Sequence, residues 1–416
     1  MYISSIRKCR DRVEQWLREK ERHIDLPLYT SVDIRNAGYK MAVVDTNLFP
    51  AGFNNLSEHS VRDAQKAFAE ILPKRVPSCQ HVLIIAEEHT RNTFYLENVW
   101  VLENIIRNAG FEATVATFLF EEPKVCEDGT YIELDTAGHH KLKLYCLKSL
   151  LRKMKRHEVS FDLIILNNDL TDGIPPLLKS MAIPIYPSMQ AGWHSRLKSH
   201  HFKCANELLD EFASMVGIDP WFVSAKFTSV DGIDINVDQD REKLAVLAEG
   251  LFKEIHHKFS EYSIKEKPLI FLKADAGTYG MGVQPIEHPQ DIIAMNRKVR
   301  NKLYKGKGGK VISKYILQEG IPSARVVDHM VAEACLYQIE NRFVGGFYRI
   351  NSEKSNRQNL NSQGMIFKKM DLEEEQPDEY LDIYQVLARV AAIAAHCETA
   401  KAPSGASSDE LIRPTQ

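Results

Sequence analysis

The stretch FLKADAGTYGMGVQPI, Phe271 to Ile286, places a lysine and an aspartate just ahead of three glycines. Gly277, Gly280 and Gly282 remove side chains where backbone must approach something closely or take positive φ. Backbone N–H groups bared in this way suit phosphate oxygens, and Lys273 adds a positive point charge. The G-x-x-G-x-G spacing matches neither the P-loop nor the dinucleotide fingerprint. Its flanks differ too: PLIFLK before it and GVQPI after it read as strands, so the unit is strand–loop–strand. An ordinary glycine hairpin fits the stretch equally well, and the rest of the chain decides.

A chain of 416 residues is long enough for two or three domains with buried cores. Its 44% hydrophobic and 26% charged content is that of a soluble globular protein. A net charge of −3 argues against a nucleic-acid partner, and the run KGKGGK from Lys305 to Lys310 reads as a solvated loop. No run approaches the ~20 apolar residues of a membrane span. The first 25 residues form a charged amphipathic helix without a signal-peptide core. Seven cysteines with no C-x-x-C pair point to reduced thiols. A cytoplasmic protein with no membrane partner is expected, and a homo-oligomer stays open.

Residues 1–80 hold that helix, the strand YKMAVVD, the turn-rich loop TNLFPAGFNN and the helical VRDAQKAFAEIL. In residues 81–215 continuous apolar strands such as HVLIIA and FDLIILN alternate with helices, as in a parallel sheet covered on both faces. KLKLYCLKSLLRKMKRH reads there as one helix. Strand carboxyl ends, where ligands gather in such sheets, carry Glu87 to Asn92 and Asn167 to Asp169. Residues 216–400 hold a long helix, the glycine hairpin, KVISKYILQEGI, and two alternating strands, HMVAEACLYQIE and RFVGGFYRIN, that suggest antiparallel sheet. Residues 401–416 read as a disordered tail.

Lys273-x-Asp-x-Gly-x-x-Gly-x-Gly, then Gln318-Glu319-Gly320-Ile321 after a strand, then GGFYRIN closing a strand pair, together resemble an ATP-grasp ligase. In that fold ATP lies between antiparallel sheets beneath a glycine loop. The resemblance implies ATP contacts from Lys273, Gly277, Gly280, Gly282, Gln318, Glu319 and Ile321, with Glu319 on the ribose and Arg349 at the transferring phosphate. ATP-grasp enzymes usually carry an acid-x-asparagine pair for magnesium on a late strand, and no such strand follows Arg349. Asp45-Thr46-Asn47 offers that pair, preceded by Arg35, in the order found in eukaryotic glutathione synthetase, a circularly permuted ATP-grasp. Read alone, D-T-N is a turn or helix cap.

Nearly the whole chain is similar to the bacterial glutamate–cysteine ligase family of permuted ATP-grasp type. AEEHTRNTFYLENV, LNNDLTDGIP, AGWHSRLKSHHF, FLKADAGTYGMGV and VGGFYRIN carry the likeness. It implies an α/β protein, α+β in the ATP domain, with a parallel-sheet substrate domain. It also implies γ-glutamylcysteine formation from glutamate, cysteine and ATP, with Mg2+. Lys273, Arg349 and Arg35 are then the expected catalytic cations, and Asp45, Asn47 and Asp275 the metal ligands. Asp275 takes the place of a glutamate in the synthetase's glycine loop. The glutamate substrate needs a guanidinium for its α-carboxylate and acids for its α-ammonium, so Glu88, Arg91 and Arg196 are candidates. Glu88 as a helix cap and Arg196 as a surface ion pair are the plain alternatives. A glutathione synthetase with another acceptor, and a nucleotide-binding protein without catalysis, are the competing functions.

Overall fold

The computed structural model describes residues 2–118, 131–277, 282–306, 309, 311–370 and 378–400. The expected tail and Gly280 lie outside the described residues. Two helices open the chain, Tyr2–Lys8 and Arg10–Glu21, where the sequence suggests one. Strands β1 (Tyr29–Asn36) and β2 (Met41–Asn47) then form an antiparallel hairpin. Helix Glu58–Arg75 follows; Ser57 caps it by accepting from Ser60 N at 3.2 Å.

The next six strands are β3 (His81–Ala86), β4 (Glu112–Thr117), β5 (Tyr131–Asp135), β6 (Lys141–Cys146), β7 (Leu163–Asn167) and β8 (Ile185–Tyr186). They form one sheet in the order β5-β6-β4-β3-β7-β8, parallel except where β5 meets β6. KLKLYCLKSLLRKMKRH is therefore not one helix, because its first six residues are β6 and the helix spans Leu147–Lys155. KLKLYC has period two: Leu142 and Leu144 are buried while Lys141 and Lys143 are exposed. Cys146 is disulfide-bonded, which corrects the expectation of reduced thiols throughout. Cys9, Cys79, Cys204, Cys335 and Cys397 are free, and Cys126 lies outside the described residues.

Strands β9 (Phe227–Val230), β10 (Ile270–Ala274), β11 (Gln284–Ile286) and β12 (Tyr315–Glu319) make a second, antiparallel sheet ordered β11-β10-β12-β9. Helix Asp238–Glu261 packs Leu244, Ala248, Leu251 and Ile255 on Ile270, Leu272 and Leu317 of that sheet. The glycine stretch is thus flanked by paired strands, as its apolar borders suggest.

Strands β13 (Val326–Val327), β14 (Met330–Ile339), β15 (Arg342–Asn351) and β16 (Met365–Lys369) bring the chain back to its first hairpin. The resulting sheet is ordered β16-β15-β14-β1-β2, with β13 on β14, and β1 pairs antiparallel with β14 from Tyr29↔Ile339 to Ile34↔Ala334. Gly345 makes close packing possible here. Its φ is +138°, and a Cβ would fall 2.0 Å from Ser60 Oγ, so helix Glu58–Arg75 lies directly over β15. On the other face helix Leu381–Ala400 packs Leu387, Ala388 and Ala391 in one core with Val43 and Leu336. Among the described residues no helix is long and apolar enough to cross a membrane.

Candidate active site

The two antiparallel sheets jointly line a cleft, with Gly306, Asn359 and Asn361 also in its lining. Period-two alternation turns Asp33 and Arg35 of β1, Asp45 of β2, Glu333 of β14 and Arg349 of β15 into it. Asp33 lies directly opposite Asp45, and Glu333 opposite Arg349. Arg349 Nη1 donates to Asp33 Oδ2 at 2.8 Å and also to Glu333. Arg35 Nε donates to Glu333 Oε2 at 2.6 Å.

The charges in this buried run set one another. Burial works against the Arg349 guanidinium, but Asp33 and Glu333 push its pKa well above the ordinary value. Burial raises the Asp33 carboxyl, and Arg349 only partly opposes that. Glu333 is held low despite its burial because it sits between Arg35 and Arg349.

Asp45 Oδ1 accepts from Lys198 Nζ at 2.9 Å. Burial would raise its carboxyl, but Lys198 and then Lys273 overcome that and hold it far below the usual carboxylate range. The side chain is 45% exposed, so a fixed anion faces the cleft. Lys273 Nζ donates to Gln318 Oε1 at 2.6 Å and to the Val44 carbonyl at 3.2 Å. Burial pulls its pKa down to about 8, with Asp45 acting in the opposite sense. Asp33, Lys198 and Glu333 are cleft residues that sequence reasoning missed. Asp33-x-Arg35 has the same strand alternation as Asp45-x-Asn47, whereas Lys198 is one cation among several in SRLKSHHFK.

Other expected residues stand apart from the cleft. Asn47 Oδ1 accepts from Phe49 N at 2.9 Å, closing a turn onto the next loop. Asp275 is no metal ligand in this arrangement: Oδ1 accepts from Ser199 N at 2.7 Å and Oδ2 from Ser199 Oγ at 2.6 Å. It caps the first turn of helix Lys198–Val216. Arg196 is likewise turned away from substrate, because its Nε donates to Glu398 Oε1 at 2.8 Å within the core. Glu88 and Arg91 are exposed in the loop after β3. Asn92, not Glu88, caps the following helix, accepting from Tyr95 N at 3.2 Å.

Gly277 lines the cleft at φ +115°, and Gly282 has φ +75°, the left-handed region expected of them. The Ile321 carbonyl lies 3.4 Å from Arg35 Nη1. Glu319 departs from its expected ribose role. Oε1 accepts from Trp221 Nε1 at 2.9 Å, Oε2 from Lys226 N at 3.0 Å, and Lys40 Nζ stands 2.9 Å away. Glu319 lines the cleft, but its carboxylate anchors the end of β12 and both oxygens are already engaged. Glu319→Gln should therefore cost about 3 kcal/mol in a urea titration, since it strands the buried Lys40 cation. The KM for ATP should change little.

The parallel sheet contributes a second polar edge. Its strand order reverses at β3, between β4 and β7, which is where such sheets bind ligands. Glu87 at the end of β3 is 5% exposed and accepts from Asp169 N at 3.0 Å. Asn167 Nδ2 at the end of β7 donates to the Pro50 carbonyl at 2.8 Å. The loop leaving Asp45 is thereby tied to that edge. Among the described residues no group of three or more His, Cys, Asp or Glu side chains gathers as a metal cage.

Comparison with protein families matches residues 4–399 to the family described as glutamate-cysteine ligase. A solved structure of a candidate γ-glutamylcysteine synthetase from Methylobacillus flagellatus is 33% identical. The match covers 95% of this chain and 94% of that one, with a TM-score of 0.84. D-alanyl-alanine synthetase A from Vibrio cholerae matches at 9% identity over 75% of this chain and 81% of that one. Its TM-score of 0.34 is too low to carry an argument. No curated protein matches. Since the family match runs nearly end to end, the chain belongs to the glutamate–cysteine ligase family of ATP-dependent ligases.

Proposed function

We propose that this ligase makes γ-glutamylcysteine through a γ-glutamyl phosphate, with ATP held between the antiparallel sheets of a circularly permuted ATP-grasp fold. Most support comes from one observation: Asp45, from the N-terminal hairpin, lines the same cleft as Lys273 and Arg349.

Lys273, Lys198, Arg35 and Arg349 offer positive charge to phosphoryl oxygens that spread their own during transfer. Arg349 is braced by two carboxylates, so its orientation is set before substrate arrives. Magnesium fits the donor set, because it takes one or two carboxylates and completes its shell with phosphate oxygens and water. Asp45 would hold it, with Asp33 opposite and Asn47 released from Phe49. When bound, the metal would neutralise phosphate charge. Two steps follow. A γ-carboxylate oxygen of glutamate attacks the γ-phosphorus and ADP leaves; the cysteine amine then attacks the acyl carbon, expels phosphate and loses a proton. The edge formed by β3 and β7 is the natural seat for glutamate, with Glu87 for its ammonium and Glu88 and Arg91 at the rim.

Glutamate labelled with oxygen-18 in its γ-carboxylate tests the intermediate. One labelled oxygen should appear in each phosphate released. Unlabelled phosphate would rule the acyl phosphate out.

A further inference from the structure

The ligation chemistry leaves unused a buried ion pair that touches the Asp45 strand. Arg196 Nε donates to Glu398 Oε1 at 2.8 Å, and both side chains are 3% exposed. Arg196 Nη1 also donates, at 2.6 Å, to the carbonyl of Thr46, the residue between Asp45 and Asn47. Two residues further on, Lys198 holds the Asp45 carboxylate. Trp193 lies against both cations, with Arg196 Cζ 4.6 Å and Lys198 Nζ 4.3 Å from its ring centre. Adjacent residues of β2 are thus gripped by two cations, one through backbone and one through side chain, and a single indole keeps those cations in register.

Glu398 directs Arg196 from the far end of helix Leu381–Ala400. His201 Nδ1 stands 3.4 Å from the same carboxylate oxygen, and Oε2 has no hydrogen-bond partner among the described residues. A tether needing only stability would do as well with apolar packing, because a buried ion pair gains little over it. What the pair adds is direction. A guanidinium fork can serve a carboxylate and a carbonyl at once, which an ammonium or a methyl group cannot do in the same geometry.

We propose that Arg196 and Glu398 are positioning residues for the Asp45–Asn47 segment, so that the C-terminal helix sets the geometry of the metal–phosphate site. This rests on the assignment of Asp45 to magnesium made above.

The test compares Glu398→Gln and Arg196→Lys with Arg389→Met. Arg389 lies on the same helix and pairs with Glu14 and Glu21, so its loss controls for weaker docking of the helix. Affinity for Mn2+ is measured by electron paramagnetic resonance with a non-hydrolysable ATP analogue present, beside magnesium titrations of ADP formation. Glu398→Gln should weaken Mn2+ binding about tenfold, the scale seen when a group supporting a metal ligand is lost. Excess magnesium should restore its turnover, and Arg389→Met should bind Mn2+ like wild type. If Glu398→Gln does not fold, Arg196→Lys reads the same effect, since it keeps the charge but loses the fork. Wild-type Mn2+ affinity in both variants, or an equal loss in Arg389→Met, overturns the positioning role and leaves the ligase reading intact. A wild-type protein that binds no Mn2+ with the analogue, yet forms ADP, overturns the metal assignment and this role with it.

Discussion

Asp45→Asn is expected to lower turnover at fixed magnesium by at least about 100-fold, or ~2.7 kcal/mol of transition-state stabilisation. It should also raise the magnesium concentration needed for half-maximal rate. The substitution keeps size and most hydrogen bonding while removing the one carboxylate that Lys198 and Lys273 keep ionised at the cleft. Its effect on folding should be small, within about 1 kcal/mol, because the side chain is half exposed and a partly solvated ion pair contributes little. A turn or cap role for Asp45 makes the opposite forecast, a modest stability loss with intact catalysis. Magnesium titration of ADP formation, beside a thermal melt, separates the two.

The second large effect is expected at Lys273. Lys273→Ala should cut turnover at least about tenfold, since a phosphate-facing cation in a closed site is worth ~1.4 kcal/mol or more. The pH profile gives an independent check. With the free-enzyme pKa near 8, kcat/KM for ATP should fall as pH rises through that value, because the protonated form binds phosphate. The variant should lack that limb. Stability should not suffer. The folded chain binds this proton less tightly than the unfolded one, so the charge costs stability below about pH 8 and the cost disappears toward the ordinary lysine value. A variant with wild-type rate would reduce the glycine stretch to an ordinary hairpin.

Much of this site was legible because strand alternation and glycine punctuation are local signals. FLKADAGTYGMGVQPI announced two strands around a close-approach loop, and MAVVDTN put an acid at a strand end. The pairing of β14 with β1 was not legible, because the sequence reading gave the N-terminal hairpin only its second strand, YKMAVVD. Side-chain allegiance was not legible. Asp275, Arg196 and Glu319 have the right chemistry for metal, carboxylate and ribose, yet Ser199, Glu398 and the Trp221–Lys226–Lys40 group claim them first. Those partners lie far away in sequence, and a buried side chain's commitment to them leaves no trace in local spacing. Asp33 was missed for the reverse reason. Its importance comes from standing opposite Asp45 across the hairpin, a register set by the slip between Asp33 and Ile34. β6 was lost inside a helical reading because the charges of KLK continue into those of the helix after it.

Product analysis tests the central claim most directly. Purified protein is supplied with ATP, magnesium, glutamate, cysteine and glycine, and ADP is followed while products are identified by mass spectrometry. ADP formation should require both glutamate and cysteine, and the product should be a γ-linked glutamylcysteine that accumulates without glycine incorporation. ATP turnover that proceeds equally well without either amino acid, or a product that needs glycine, would contradict the account.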